Sequence, residues 1–176
     1  MLTKTPFRRT HFDLRRRRGA TVVEFAIIYP LAFLLIIGVA VGGLGVFRYQ
    51  QVAHLAQLSA RYAAVHGGQY AAETGKTAAT QQEVFDEIAN QCTAMDRNSL
   101  SVTVFLNVTS LDATGNPTVT AVAWDSSNKA PYSVVNDLGD PMQNTVSATV
   151  QYQWLPEVWL TGPITLSSTA TVPMQY

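Results

Sequence analysis

Cysteine is nearly absent from this chain. Cys92 is the only one, so no disulfide can join two parts of the fold. The lone thiol reads either as a small buried apolar residue or as a group for intermolecular pairing. Charge is missing where its absence says most: from Ala20 to Phe47 the only charged residue is Glu24. Also lacking are a glycine-rich phosphate loop, a metal-spaced cluster of His, Cys, Asp and Glu, and a Ser/His/Asp set on plausible elements. No enzyme activity, cofactor or metal is therefore expected. His54 and His66 have no Cys, Asp or Glu at ligand spacing and read as structural or exposed.

The charge that is present is segregated. Residues 1–18 carry seven bases and one acid, a net +6, while the remainder carries five bases and eleven acids, a net −6. A basic tail of this kind faces anionic lipid or nucleic acid. Because an apolar run starts directly behind the arginines, lipid is the expected partner and nucleic acid is not. That run, Ala20–Phe47, has 28 residues. At about 1.5 Å per residue it reaches ~42 Å as a helix, more than the roughly 30 Å hydrocarbon core of a bilayer. Its glycines (Gly38, Gly42, Gly43, Gly45) and Pro30 are tolerated in membrane helices. Gly38 and Gly42 are four apart, which opens one face to close approach by another helix. The alternative is that these glycines only add flexibility. The basic flank is N-terminal, so the positive-inside rule places the N-terminus in the cytoplasm and the chain beyond Phe47 outside.

Glu24 is the costly residue. A carboxylate in hydrocarbon costs roughly 2.5–3.5 kcal/mol on insertion scales, less near the interface. Either it reaches the headgroups or an arginine, or it needs a cationic partner within the membrane. A cleaved secretory signal peptide fits poorly: its apolar core is about 7–15 residues, and this run is longer and contains an acid.

The string Arg18-Gly19-Ala20-Thr21-Val22-Val23-Glu24-Phe25 resembles the processing site of type IV prepilins. The longer stretch from Arg17 through Val-Glu-Phe-Ala to Pro30 resembles TadE-like proteins, pseudopilins of the Tad/Flp pilus system. The resemblance is tight over residues 17 to about 40 and only one of layout beyond. It implies cleavage between Gly19 and Ala20 by a membrane-embedded prepilin peptidase, with Gly19, Ala20, Glu24 and Phe25 as the recognised residues. Glu24 is then the fifth residue of the mature chain and pairs with the N-terminal amine of a neighbouring subunit. Glu24, Gly38 and Gly42 are the expected assembly residues. The implied partners are the membrane, other pilin or pseudopilin subunits, the prepilin peptidase and Tad inner-membrane assembly proteins. The implied location is a single pass through the bacterial inner membrane, with the C-terminal domain extracytoplasmic.

Beyond the apolar run, Val52, Leu55, Ala56, Ser59, Tyr62, Ala63 and His66 recur at helical spacing, and Gly67-Gly68 is a stop signal. A helix from 20 to 66 would be ~70 Å long, the pilin layout. Residues 69–79 read as a loop. Thr80-Gln81-Gln82-Glu83 is a capping box opening a helix over about 81–92, with a core stripe of Val84, Phe85, Ile88, Ala89 and Cys92.

Alternation predicts strands at Leu100–Val108, Thr118–Trp124, Thr145–Trp154 and Ile164–Val172, the first two joined as a hairpin through the turn cluster Asp112–Pro117. Residues 125–143 read as a long exposed loop. Leu155–Gly162 reads as a connection. The polar faces of the last two strands carry no charge and read as solvent-facing sheet or as an assembly contact. Tyr152, Trp154 and Trp159 read as core or as membrane-proximal anchors.

The expected fold is α+β: a long N-terminal transmembrane, pilin-like helix, a second short helix, and an antiparallel sheet of about four strands. The expected segments are a basic cytoplasmic leader (1–19), the transmembrane helix (20–47), its continuation (48–68) and the extracytoplasmic domain (69–176). Three functions are compatible with this layout. One is a TadE-like minor pilin that assembles or primes a Tad/Flp-type pilus. Another is an uncleaved, single-pass anchored protein with an extracytoplasmic binding domain. The third, a signal-anchored secreted enzyme, has no catalytic set to support it.

Overall fold

The computed structural model describes residues 15–92, 95–124, 133–135, 139, 141–156 and 162–175. Its first element is helix α1, Arg15–Val65, which runs through Pro30. Proline deletes one helical hydrogen bond and crowds the carbonyl four residues earlier. The chain divides by contacts into two units, Met1–Gly42 and Gly43–Tyr176. In the first, the apolar side chains of α1 are exposed along its length, among them Val22, Ile27, Leu31, Leu34, Ile37 and Val39. This is the expected apolar run, and it is all helix.

In the second unit α1 turns one face inward. Val52, Leu55, Ala56, Ser59, Ala60, Ala63 and Ala64 are buried, as the helical spacing predicts. Ser59 satisfies its hydroxyl by donating to the Leu55 carbonyl at 2.7 Å, so a polar side chain sits in the core at little cost. The helix stops at Val65, just before the predicted Gly67-Gly68 signal.

Residues 68–74 then depart from the predicted loop and form a short helix, α2 (Gly68–Thr74), closed by Gly75 at φ +71°. Two turns with only alanine and tyrosine among polar residues offer no apolar repeat to read. Local bonds hold the helix, including Gln69 Nε2 to Glu73 Oε1 at 3.2 Å. Helix α3 covers Gln81–Ala89. Its capping box is present as predicted: Glu83 N donates to Thr80 Oγ1 at 3.1 Å and Thr80 N to Glu83 Oε2 at 2.8 Å. Val84, Ile88 and Ala89 are buried. Phe85 is half-buried beneath the Arg97 guanidinium, 5.6 Å from its ring centre. The helix ends three residues earlier than expected because Asn90 caps it. Cys92 is half-buried, and burial pushes its thiol pKa up against a smaller opposing effect of Arg97.

The strands are β1 (Leu100–Leu111), β2 (Pro117–Ala123), β3 (Ser133–Val135), β4 (Pro141–Gln143), β5 (Thr145–Trp154) and β6 (Ile164–Pro173). Four form an antiparallel sheet in the order β2-β1-β5-β6. The short pair β3-β4 lies within the predicted loop 125–143. Three-residue strands are too short for alternation to show, and Pro141 stands at a strand start, where its missing N–H does no harm. The predicted Trp159 anchor and the rest of that loop, apart from Gly139, lie outside the described residues.

The two sheet faces differ. Leu100, Val102, Val104 and Leu106 on β1, and Val146, Ala148, Val150, Tyr152 and Trp154 on β5, are buried. These are the predicted apolar faces, and Tyr152 and Trp154 are core residues. Trp124 closes one end by donating its indole N–H to the Ala79 carbonyl at 2.7 Å. The opposite face is laced by hydroxyls, with Thr149 to Thr169 at 2.8 Å and Ser147 to Thr171 at 3.2 Å. Paired residues of an antiparallel ladder share a face. The register therefore puts Ser101, Gln151 and Ser167 in one row and Thr103, Thr149 and Thr169 in the next.

Two contacts lock the domain where alternation has nothing to say. Asn144 is fully buried between β4 and β5. Its Oδ1 accepts from Thr109 N at 2.9 Å, and its carbonyl accepts from Met174 N at 2.9 Å. It thereby serves β1 just where the β1–β5 pairing ends at Asn107–Thr145. The second contact joins α1 to the end of β5. A methyl group on Gly45 would lie 2.8 Å from Trp154 Cζ3. One turn on, the Arg48 guanidinium sits 5.7 Å from the Trp154 ring and 6.0 Å from that of Tyr152, and donates to the Tyr152 hydroxyl at 3.0 Å. The indole N–H of Trp154 is buried without a hydrogen-bond partner among the described residues.

Three outcomes follow for the full-length protein in detergent. Asn144→Ala should cost about 1–3 kcal/mol, because it leaves the Thr109 N–H unpaired inside the domain; chemical denaturation checks this. Gly45→Ala should cost a similar ~1–3 kcal/mol by overpacking against Trp154. Gly43→Ala, which meets nothing within 4 Å, should leave the melting temperature unchanged or slightly raised.

Candidate functional site

The residues singled out in the sequence lie on one element, α1, within the unit Met1–Gly42. Gly19 is exposed, and no heavy atom lies within 4 Å of where a Cβ would stand. Ala20 follows in the same helix. The Gly19–Ala20 peptide is thus in helical backbone, where glycine is about 1 kcal/mol poorer than alanine as a helix former.

Glu24 is exposed, one turn beyond Ala20. Among the described residues no hydrogen bond or ion pair engages it. Phe25 stacks on Tyr29, one turn on, with ring centres 5.2 Å apart and planes 13° from parallel. Gly38 and Gly42 are exposed, and a Cβ on either would meet nothing within 4 Å. The structure therefore places Gly19, Ala20, Glu24 and Phe25 within two turns and the glycine pair further along the same helix. It leaves the glycine face open, as a face for another helix must be.

Sequence reasoning gave no role to the contact among Gly45, Arg48, Tyr152 and Trp154. The available signal was a glycine one turn before the lone arginine that ends the apolar run. Its partners are about a hundred residues away, and periodicity carries no such information. The histidines take the structural places expected. His54 is exposed. His66 stacks on Tyr62, ring centres 4.1 Å apart, with its Nδ1 2.9 Å from the Tyr62 carbonyl.

Over Thr21–Val65, α1 is long and apolar enough to cross a bilayer. With the α+β domain that follows it, this helix defines the class: a membrane-anchored protein with one N-terminal apolar helix. Residues 19–61 match the family model described as TadE-like protein, the family that the Gly-Ala…Val-Glu-Phe motif resembles. No curated protein and no solved structure matches the chain.

Proposed function

We propose that this protein is a TadE-like minor pilin, or pseudopilin, that takes part in assembling or priming a Tad/Flp-type pilus. The observation that carries the reading is where the family match begins. It starts at Gly19, the last residue of the leader if cleavage falls before Ala20. A prepilin peptidase removes the basic leader on the cytoplasmic side. The mature chain stays in the inner membrane through residues 20–47, with its α+β domain outside.

Cleavage changes the electrostatics of the segment. The new α-amino group of Ala20 is a cation one helical turn from the level of Glu24, and a neighbouring subunit brings it within reach of the carboxylate. Opposite charges attract strongly where water is scarce, and an unpaired one is costly. Assembly then proceeds helix against helix, with Gly38 and Gly42 allowing close approach. One observation favours a second reading, an uncleaved anchored protein whose outer domain binds a partner: the family match ends at residue 61, leaving the whole sheet outside it.

N-terminal sequencing of membrane-extracted protein separates the two, with Ala20 expected for the pilin and Met1 or Leu2 for the anchored binding protein. Gly19→Ala is expected to stay full length on a gel; if it runs at the size of the mature chain, the processing site is misplaced. Glu24→Gln should leave cleavage largely intact and reduce crosslinking to partner pilins. Undiminished crosslinking and piliation in that variant would remove the charge pair from the mechanism.

A further inference from the structure

The sheet meets α1 at a defined level of the apolar run. Trp154 closes on Gly45, and Arg48 reaches both Trp154 and Tyr152. The C-terminal end of β5 is therefore held beside helix positions 45–48, the last turn of the run Ala20–Phe47. A run of ~42 Å overfills a hydrocarbon core of roughly 30 Å, so this last turn stands at the membrane–water boundary.

The sheet end held there carries exposed aliphatics. Leu155, next after Trp154, is 68% exposed, and Ile164 is 40% exposed. Ile164 is paired directly with Trp154 across the ladder and so shares its face, while Leu155 follows Trp154 along the chain, so the two mark the end of the β5–β6 pair. On the helix beside them Leu44, Val46 and Phe47 are exposed too. Exposed aliphatics beside an arginine at the end of an apolar run suit a membrane interface, where a guanidinium sits at headgroup level and aliphatic groups enter the acyl boundary.

We propose that the end of the sheet formed by Leu155 and Ile164 docks on the lipid surface, at the boundary where α1 leaves the bilayer. The partner is the bilayer itself, because the patch is continuous with the span. The docking rests on reading residues 20–47 as that span. It gives the outer domain two attachments to one membrane, a helix through it and a sheet corner on it.

Full-length protein carrying Cys92→Ser is labelled with nitrobenzoxadiazole at Leu155→Cys, at Leu34→Cys within the span, or at Thr114→Cys in the turn between β1 and β2. Each is reconstituted in phosphatidylcholine vesicles containing lipid with a doxyl quencher near the headgroup or deep in the acyl chain. The label at Leu34→Cys should be quenched by the deep doxyl. The label at Leu155→Cys should be blue-shifted and quenched by the shallow doxyl roughly twofold or more over Thr114→Cys, as an interfacial site requires. Quenching at Leu34→Cys with Leu155→Cys no better quenched than Thr114→Cys overturns the docking and leaves the span standing. No quenching at Leu34→Cys overturns the span and the docking with it.

Discussion

The α+β domain depends on one packing contact: a helical face made almost entirely of small side chains against a sheet face of aliphatics and aromatics. Ala56, Ser59, Ala60, Ala63 and Ala64 are all buried, and none fills much space. Small residues supply little volume on the helix side, so it must come from the other side. Val104, Leu106, Val146, Val150, Tyr152 and Trp154 supply it. At Gly45 the logic reaches its limit, because there even a methyl group would collide with Trp154. Backbone meets backbone at the far end, where Gln175 N donates to the Ala64 carbonyl at 3.3 Å.

Small residues recur in the apolar part of α1, in a different solvent. In lipid no hydrophobic force distinguishes a leucine facing a neighbour from one facing acyl chains, so association relies on close packing and polar pairing. Glycines at 38 and 42 fit that solvent, and alanines at 56, 60 and 64 fit water with a sheet to pack on. The i, i+4 spacing of small residues occurs in both parts of α1, interrupted between them by Val46, Gln50 and His54. The family match over residues 19–61 spans both regimes, as expected if this helix is what its members share.

What could be read in the sequence divides along a physical line. Wherever a segment is long and one-sided, its period reveals it: the β5 face from Val146 to Trp154, the α1 face from Val52 to Ala63, the Thr80–Glu83 capping box. Helix α2 was hidden because seven residues of mixed polarity have no face. The β3-β4 pair was hidden because three residues show no alternation. Asn144 could not be recognised at all, since a buried amide serving the backbone of Thr109 looks in sequence like one more loop asparagine. Glu24 stood out for another reason: an acid inside an apolar run is costly, so it draws notice in the sequence, whereas the Arg48–Trp154 contact required the fold.

Glu24 and Arg48 together frame the membrane problem. They are 24 residues apart along the helix, about 36 Å of rise, against a hydrocarbon core of roughly 30 Å. Neither charge then needs to sit deep: each reaches a boundary, one at each end. Arg48 settles its charge within its own chain, against Tyr152 and Trp154, and in doing so ties the domain to the helix. Glu24 has no partner among the described residues, so its charge must be answered from the headgroups or from another molecule. A charge satisfied internally favours a single, well-placed domain. A charge left for a neighbour favours association, and more strongly the deeper it is drawn into lipid. The helix thus carries a fixed end and an open end, and the open end is the one that cleavage would change.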